Sequence, residues 1–136
     1  MTERSLILIK PDAVRRGLTG AILDRYLAKG FSVVALQQRT ATGGEADAHY
    51  AEHVEKGWYP GLRSFITSGP LVALVLEGDR VVESVRLLNG ATDGIAAAPG
   101  TIRGDWSASN QQNLVHGSDS VESAAREIGV WFPGLK

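Results

Sequence analysis

A chain of 136 residues, 43% of them apolar, is long enough to bury one core and too short for two, so a single domain over residues 1–136 is expected. Its 14 Lys and Arg against 15 Asp and Glu leave a formal charge of -1, which excludes a general attraction to nucleic acid or to an anionic membrane; any nucleic-acid binding is expected to be weak. The absence of cysteine excludes a disulfide framework, a thiolate nucleophile and a cysteine metal site, and fits a reducing cytoplasm.

The first element expected is a buried strand over residues 5–10, ended by Pro11-Asp12. Its apolar run, between Arg4 and Lys10, is too short for a signal peptide or a membrane span. Residues 18–29 carry Leu18, Ile22, Leu23, Tyr26 and Leu27 on one helical face, with Gly30 as the stop. A second strand is expected over 31–39, and Gly43-Gly44 then opens a region of short helices reaching Phe65. The third strand, 71–77, is the most apolar, and 79–88 follows as a helix. A Gly- and Pro-containing loop over 89–112 leads to a short strand at 113–115 and a final helix at 121–132. The order is β-α-β-β-α-β with additions. It predicts an α+β, ferredoxin-like split βαβ fold: a four-stranded antiparallel sheet with helices packed on one face and a long binding loop.

The run Asn113-Leu114-Val115-His116-Gly117-Ser118-Asp119-Ser120 puts an imidazole on a turn between an apolar strand and a helix start. Gly117 permits a tight or positive-φ turn; Ser118, Asp119 and Ser120 are all N-cap types, and Asp119 with Glu122 reads as a capping-box variant. The amides of a helix start favour an anion such as phosphate, and a nucleophile beside an anion cradle suggests phosphoryl transfer. In the helix, Glu127 flanks the stripe formed by Val121, Ala124, Ala125, Ile128, Trp131 and Phe132. It is expected to reach His116 directly or through Ser118. The 89–112 loop exceeds the length usual for structureless connections, and its Arg103 lies between Gly100 and Gly104 as a planar fork for phosphate oxygens.

With these residues on the page the chain resembles the nucleoside diphosphate kinases, from Arg4 to Phe132. The resemblance rests on six blocks in order: Ile9-Lys10-Pro11-Asp12, Arg16-Gly17-Leu18 with Gly20, His49-Tyr50, Ser68-Gly69-Pro70, the seven residues 99–105, and the eight around His116. It implies a ping-pong phosphotransferase in which a nucleoside triphosphate gives its γ-phosphoryl group to His116 and a different diphosphate takes it. It further implies Lys10 at the ribose and the transferring phosphate, Tyr50 near the γ-phosphate, and Asn113 at the sugar hydroxyl. Arg86, Thr92 and Arg103 become phosphate contacts; Trp58 and Leu62 become the slot for the base, with ribo- and deoxyribonucleotides both accepted because stacking tolerates any base. Mg²⁺ is expected with the substrate, held through water by Asp119. A homo-oligomer is implied, a hexamer favoured and a tetramer as the alternative.

The chain departs from the family pattern at Ala13, Gly57, Trp106 and Asn110, and at Gly94 in the long loop, where a proline is common. Competing readings have less support in the residues. No GxxxxGK[ST] sequence occurs, so a P-loop is excluded. His49 and His53 stand at the i,i+4 spacing of a zinc pair but lack the glutamate and a third ligand. A phosphocarrier fed by another protein would need the imidazole but not the arginines and the aromatic slot. A non-catalytic nucleotide- or nucleic-acid-binding oligomer predicts damage to the nucleophile set, which is complete here.

Overall fold

The computed structural model describes residues 2–136. Its sheet has the order β2-β3-β1-β4, every neighbouring pair antiparallel, from β1 (Thr2–Ile9), β2 (Ser32–Thr40), β3 (Pro70–Asp79) and β4 (Val115–Gly117). This is the expected split βαβ sheet. The middle position of β1 follows from its composition: Leu6, Ile7, Leu8 and Ile9 are each fully buried, as a strand covered on both faces requires.

Helices cover both faces of the sheet, not one. Ile7 and Ile9 point into a core with Ile22 and Tyr26 of α2 (Thr19–Ala28) and Val81 and Val85 of the helix Val81–Asn89. Leu6 and Leu8 point the other way, into a second core with Ala46 of α3 (Gly43–His49), Ile66 of α4 (Tyr59–Ile66) and Trp131 of the last helix. Continuous apolar runs in β1 and β3 are the sequence trace of this double cover; an alternating pattern would have meant one wet face. Each fully buried aliphatic side chain stabilises the fold by about 1.5–3 kcal/mol. β2 is the exposed edge, with a register shift between Val33 and Ala35.

The remaining helices are α1 (Pro11–Arg15), α5 (Val81–Asn89), α6 (Ile102–Trp106) and α7 (Val121–Trp131). Sequence reading missed α1, which begins on Pro11, where the fixed φ suits a first helical position and no N–H is needed. It also missed α6 inside the long loop, capped by the Thr101 hydroxyl, which accepts from the Gly104 amide. The helix expected from 79 starts at Val81, because Arg80 is left-handed with φ 53.

Three corrections bear on the site. The last strand lies at Val115–Gly117, so His116 sits within the ladder opposite Leu8, not on a turn after it. Leu114 is excluded from the ladder by its positive φ of 77, held between the Lys10 amide, which donates to its carbonyl at 2.8 Å, and Asp12 Oδ2, which accepts from its amide at 3.2 Å. Gly117 is not in the positive-φ region; it is small because a β-carbon there would lie 2.9 Å from Val85 Cγ1 and 3.0 Å from Asn89 Nδ2. Of the three N-cap candidates the cap of α7 is Ser120, whose hydroxyl accepts from the Ser123 amide, so the capping box expected of Asp119 with Glu122 is not formed.

Candidate active site

Antiparallel pairing of β1 with β4 brings the end of one strand to the start of the other, with Ile9 opposite Val115. Lys10 and His116 therefore open onto the same cavity, of about 650 Å³, between the sheet end, α3, α5 and the long loop. Every site residue expected from the sequence lines it except Ser118, which is fully buried behind the imidazole.

Glu127 lies on the buried face of α7 with Ala124 and Trp131, at its centre and not at its margin; Val121 and Ala125, expected inside, are exposed. A buried carboxylate needs partners. Glu127 Oε1 takes two bonds of 2.8 Å, from His116 Nε2 and from the Ser118 hydroxyl. Ser118 in turn accepts from the Leu6 amide at 3.1 Å, which ties the relay to the central strand. Glu127 is a pure acceptor, so Nε2 carries the ring proton and Nδ1 keeps its lone pair. The His116 side chain is 21% exposed, enough for a reactant to reach it.

Lys10 is nearly buried at 7% exposure, and its ammonium donates to Asn113 Oδ1 at 2.8 Å. Burial, with Arg103 as a second cause and Asp12 opposing, lowers its pKa to about 8. The Asn113 amide nitrogen is fixed by the carbonyls of Thr92 at 3.0 Å and Asn110 at 2.9 Å, so its oxygen faces the ammonium.

Arg103 is more occupied than a free phosphate fork. Its guanidinium donates to the carbonyls of Asn113 at 3.1 Å, Gly90 at 2.8 Å and Val115 at 2.6 Å, which spends three of five N–H groups on joining the long loop to β4. Two donors remain for a ligand. The flanking glycines serve the loop itself: Gly100 has φ 97, and a β-carbon at Gly104 would overlap the Ala98 carbonyl. Arg25 fixes the loop from outside, donating to Gly100 O at 3.1 Å and to Asp105 at 2.7 Å with Trp106 stacked 4.2 Å from its guanidinium.

Arg86 and Thr92 line the cavity, and neither side chain has a hydrogen-bond partner among the described residues, so both are available to an anion. Asp119 lines it too, held below the usual carboxylate range by a hydrogen bond from Ser123 and by nearby Arg86. At the mouth Trp58 is 53% exposed, with the His53 ring 5.1 Å away and Leu62 on the same wall. An exposed indole beside an open cavity suits a flat ligand better than a core.

Sequence reasoning gave His49 as part of the His49-Tyr50 block and as half of a metal pair, with no role in the reaction, and gave no role to Arg126. Both help to form the cavity wall. His49 Nδ1 accepts from the Trp131 indole at 3.0 Å, so its remaining nitrogen holds a proton and offers a metal no lone pair. His49, His116 and Glu127 place ligand-type atoms within 4.8 Å of one another, yet that bond argues against a metal centre there. The cue for His49 was its position directly before Tyr50; burial is what the sequence could not display.

Four cations (Lys10, Arg86, Arg103 and Arg126), a lone-pair nitrogen and an aromatic slab in one cavity suit a molecule with phosphates at one end and a planar group at the other. Comparison with known proteins gives the same chemistry. The family model described as "Nucleoside diphosphate kinase" matches residues 3–136. A nucleoside diphosphate kinase of a Nocardioides species is 71% identical over 99% of this chain and 100% of its own. That of Rhodococcus erythropolis is 60% identical, over 99% and 98%. The solved structure of a halophilic nucleoside diphosphate kinase from Halobacterium salinarum in complex with CDP superposes with a TM-score of 0.95 at 45% identity, covering 98% of this chain and 89% of that one. An Aquifex aeolicus nucleoside diphosphate kinase gives 0.95 at 41% identity, over 99% and 98%.

Proposed function

Because the chain belongs to the nucleoside diphosphate kinase family and transfers phosphoryl groups between nucleotides, we propose that His116 carries the group from donor to acceptor on its Nδ1 atom. The observation that supports this most is the bond between His116 Nε2 and Glu127, which leaves Nδ1 as the ring's free lone pair. The Nδ1 pair attacks the γ-phosphorus of a nucleoside triphosphate. The bond from phosphorus to the β,γ-bridging oxygen breaks, and the diphosphate leaves with that electron pair. Glu127 stabilises the cationic ring that forms, with Ser118 fixing the carboxylate. An oxygen of a second nucleoside diphosphate then attacks the phosphoramidate and restores the free imidazole.

Lys10, Arg86 and the two remaining donors of Arg103 offset the phosphate charge, with Thr92 and the Tyr50 hydroxyl as neutral donors. Asn113, held by Lys10 and the loop carbonyls, is positioned for a sugar hydroxyl. Trp58 and Leu62 bound the base without reading its edge, which supports acceptance of many bases on ribose or deoxyribose. Mg²⁺ enters with the nucleotide, and ionised Asp119 is a hard oxygen donor suited to it through water; the ion supplies charge neutralisation to the phosphates.

The chain works as a single domain and self-associates, a hexamer ahead of a tetramer. Exposed Val33 and Leu36 on β2, whose outer edge is unpaired, support association, as do exposed Leu27 on α2 and Ile95 at 78% exposure on the long loop. No described helix is long and apolar enough to cross a membrane, and the cysteine-free composition suits the cytoplasm. A purely binding role is not favoured, since Glu127, Ser118, Lys10 and His116 are jointly assembled for reaction.

The test is brief exposure to ATP and Mg²⁺, intact mass at neutral to alkaline pH, then GDP. The expected result is an acid-labile adduct discharged by GDP and absent from His116→Ala. An adduct that persists in that variant overturns the assignment.

A further inference from the structure

His49 is 4% exposed, and its ring lies edge-on to that of His116, centres 4.5 Å apart and planes at 82°. The Trp131 indole N–H, a donor with no acceptor capacity, binds its Nδ1 at 3.0 Å. An uncharged imidazole with a lone pair at Nδ1 must carry its proton on Nε2. The ring stays uncharged: burial first, then the charges of His116, Arg126 and Lys10, hold its pKa well below the usual histidine value. The Tyr50 ring packs against its other side at 4.6 Å, so the imidazole has little freedom to turn.

His49 lines the reaction cavity with a fixed tautomer, its ligand-type atoms within 4.8 Å of those of His116 and Glu127, and its Nε2–H has no hydrogen-bond partner among the described residues. His49 Nε2 is not among the fully buried unpartnered atoms, so this donor is open to an acceptor that enters the cavity. The acceptor that enters the space beside His116 during each half-reaction is the phosphoryl group, with three oxygens to satisfy. A neutral donor has an advantage over a further cation in a reversible transfer, because it stabilises the spread charge of the transition state without trapping the loaded imidazole.

We propose that His49 is a further catalytic residue, whose Nε2–H donates to a non-bridging oxygen of the phosphoryl group as that group passes to and from His116 Nδ1. The inference rests on the role given to His116 above.

Two substitutions separate the donor from the ring. His49→Phe keeps a flat side chain and removes both nitrogens, whereas His49→Gln keeps a carbonyl acceptor for Trp131 and an amide NH2 as donor. Single-turnover phosphorylation by ATP–Mg²⁺ should slow about 10- to 100-fold in His49→Phe, with the dissociation constant for ADP within about two-fold of the parent. His49→Gln should recover most of the rate. Equal rates in His49→Phe and the unmodified protein overturn the proposal, as does a His49→Gln as slow as His49→Phe. Should His49→Phe fail to fold, long-range ¹H–¹⁵N spectra of the unmodified protein decide: a proton on His49 Nε2 supports the assignment, and one on Nδ1 overturns it. An adduct surviving His116→Ala would instead remove the parent reading and this inference together.

Discussion

Lys10 gives the site a proton-linked affinity that can be worked out in advance. Its ammonium is nearly buried, with a pKa lowered to about 8 by burial and by Arg103. A nucleotide phosphate beside it supplies the missing counter-charge and returns it toward the ordinary lysine value of about 10.4. Binding must then draw in protons: roughly 0.1 per site at pH 7, about 0.5 at pH 8 and about 0.9 at pH 9 from this group. By linkage, nucleotide affinity falls about 30-fold between pH 7 and pH 9.5, or ~2 kcal/mol. The fold itself responds in the opposite sense. The folded state releases this proton at lower pH than the unfolded chain, so between pH 8 and 10.5 the unfolded chain holds more protons and Lys10 makes stability rise with pH. The assay is calorimetric titration of ADP in two buffers of different ionisation enthalpy at each pH, for the unmodified protein and Lys10→Met. The difference between the two proteins isolates this side chain. A proton uptake that is flat from pH 7 to 9, or equal in Lys10→Met, would refute the account.

Two further substitutions test the frame around the nucleophile. Glu127→Ala removes the acceptor for His116 Nε2 and leaves Ser118 with its Leu6 contacts alone, so the His116 tautomer is no longer fixed. Single-turnover phosphorylation should fall about 10²- to 10³-fold with a smaller change in nucleotide affinity, read by rapid quench. Gly104→Ala places a β-carbon on the Ala98 carbonyl, a backbone group that cannot swing aside. A loss of about 1–3 kcal/mol in denaturant unfolding is expected, together with faster amide exchange from 98 to 107; an unfolding midpoint equal to the parent's would show that the loop yields at no cost.

The sheet was legible because both of its long central strands announce themselves. Leu6 to Ile9 form an unbroken apolar run, and so does the stretch after Pro70, which is what a doubly covered strand requires. The same runs should have told against a one-faced layer. Most side chains expected at the site lie in the motif blocks and line one cavity, but their partners within the protein were harder to read. Arg103 looks in sequence like any phosphate-binding arginine, since a guanidinium donates equally well to a carbonyl; three of its donors turn out to hold backbone. Gly117 misled because a glycine answers two needs, a positive φ or a close neighbour, and only packing against Val85 and Asn89 tells which applies. Leu114 carries the positive φ instead, and nothing in an apolar side chain advertises it. His49 lacked a visible role because its tautomer depends on Trp131, 82 residues away.

The costs in this site share a location, which explains how they are sustained. Leu114 is strained at φ 77, Lys10 is desolvated beside Arg103, and Glu127 is a buried carboxylate. Each is offset by groups that belong to the sheet end. Asp12 and the Lys10 backbone hold Leu114, the Asn113 amide receives the ammonium, and the Leu6 strand fixes Ser118 against Glu127. The strain two residues before His116 therefore does more than turn the chain. It lets Asn113 reach Lys10 while Val115 enters the ladder, so that Asn113 and His116 are set by one backbone feature. What the protein alone compensates only in part, through Asp12, is the proximity of two cations, Lys10 and Arg103, and a phosphate is a group that would relieve it. An anionic ligand would thus complete the electrostatics of the site, and the same fold that holds the imidazole leaves the cavity beside it open, as the proposed transfer through His116 requires.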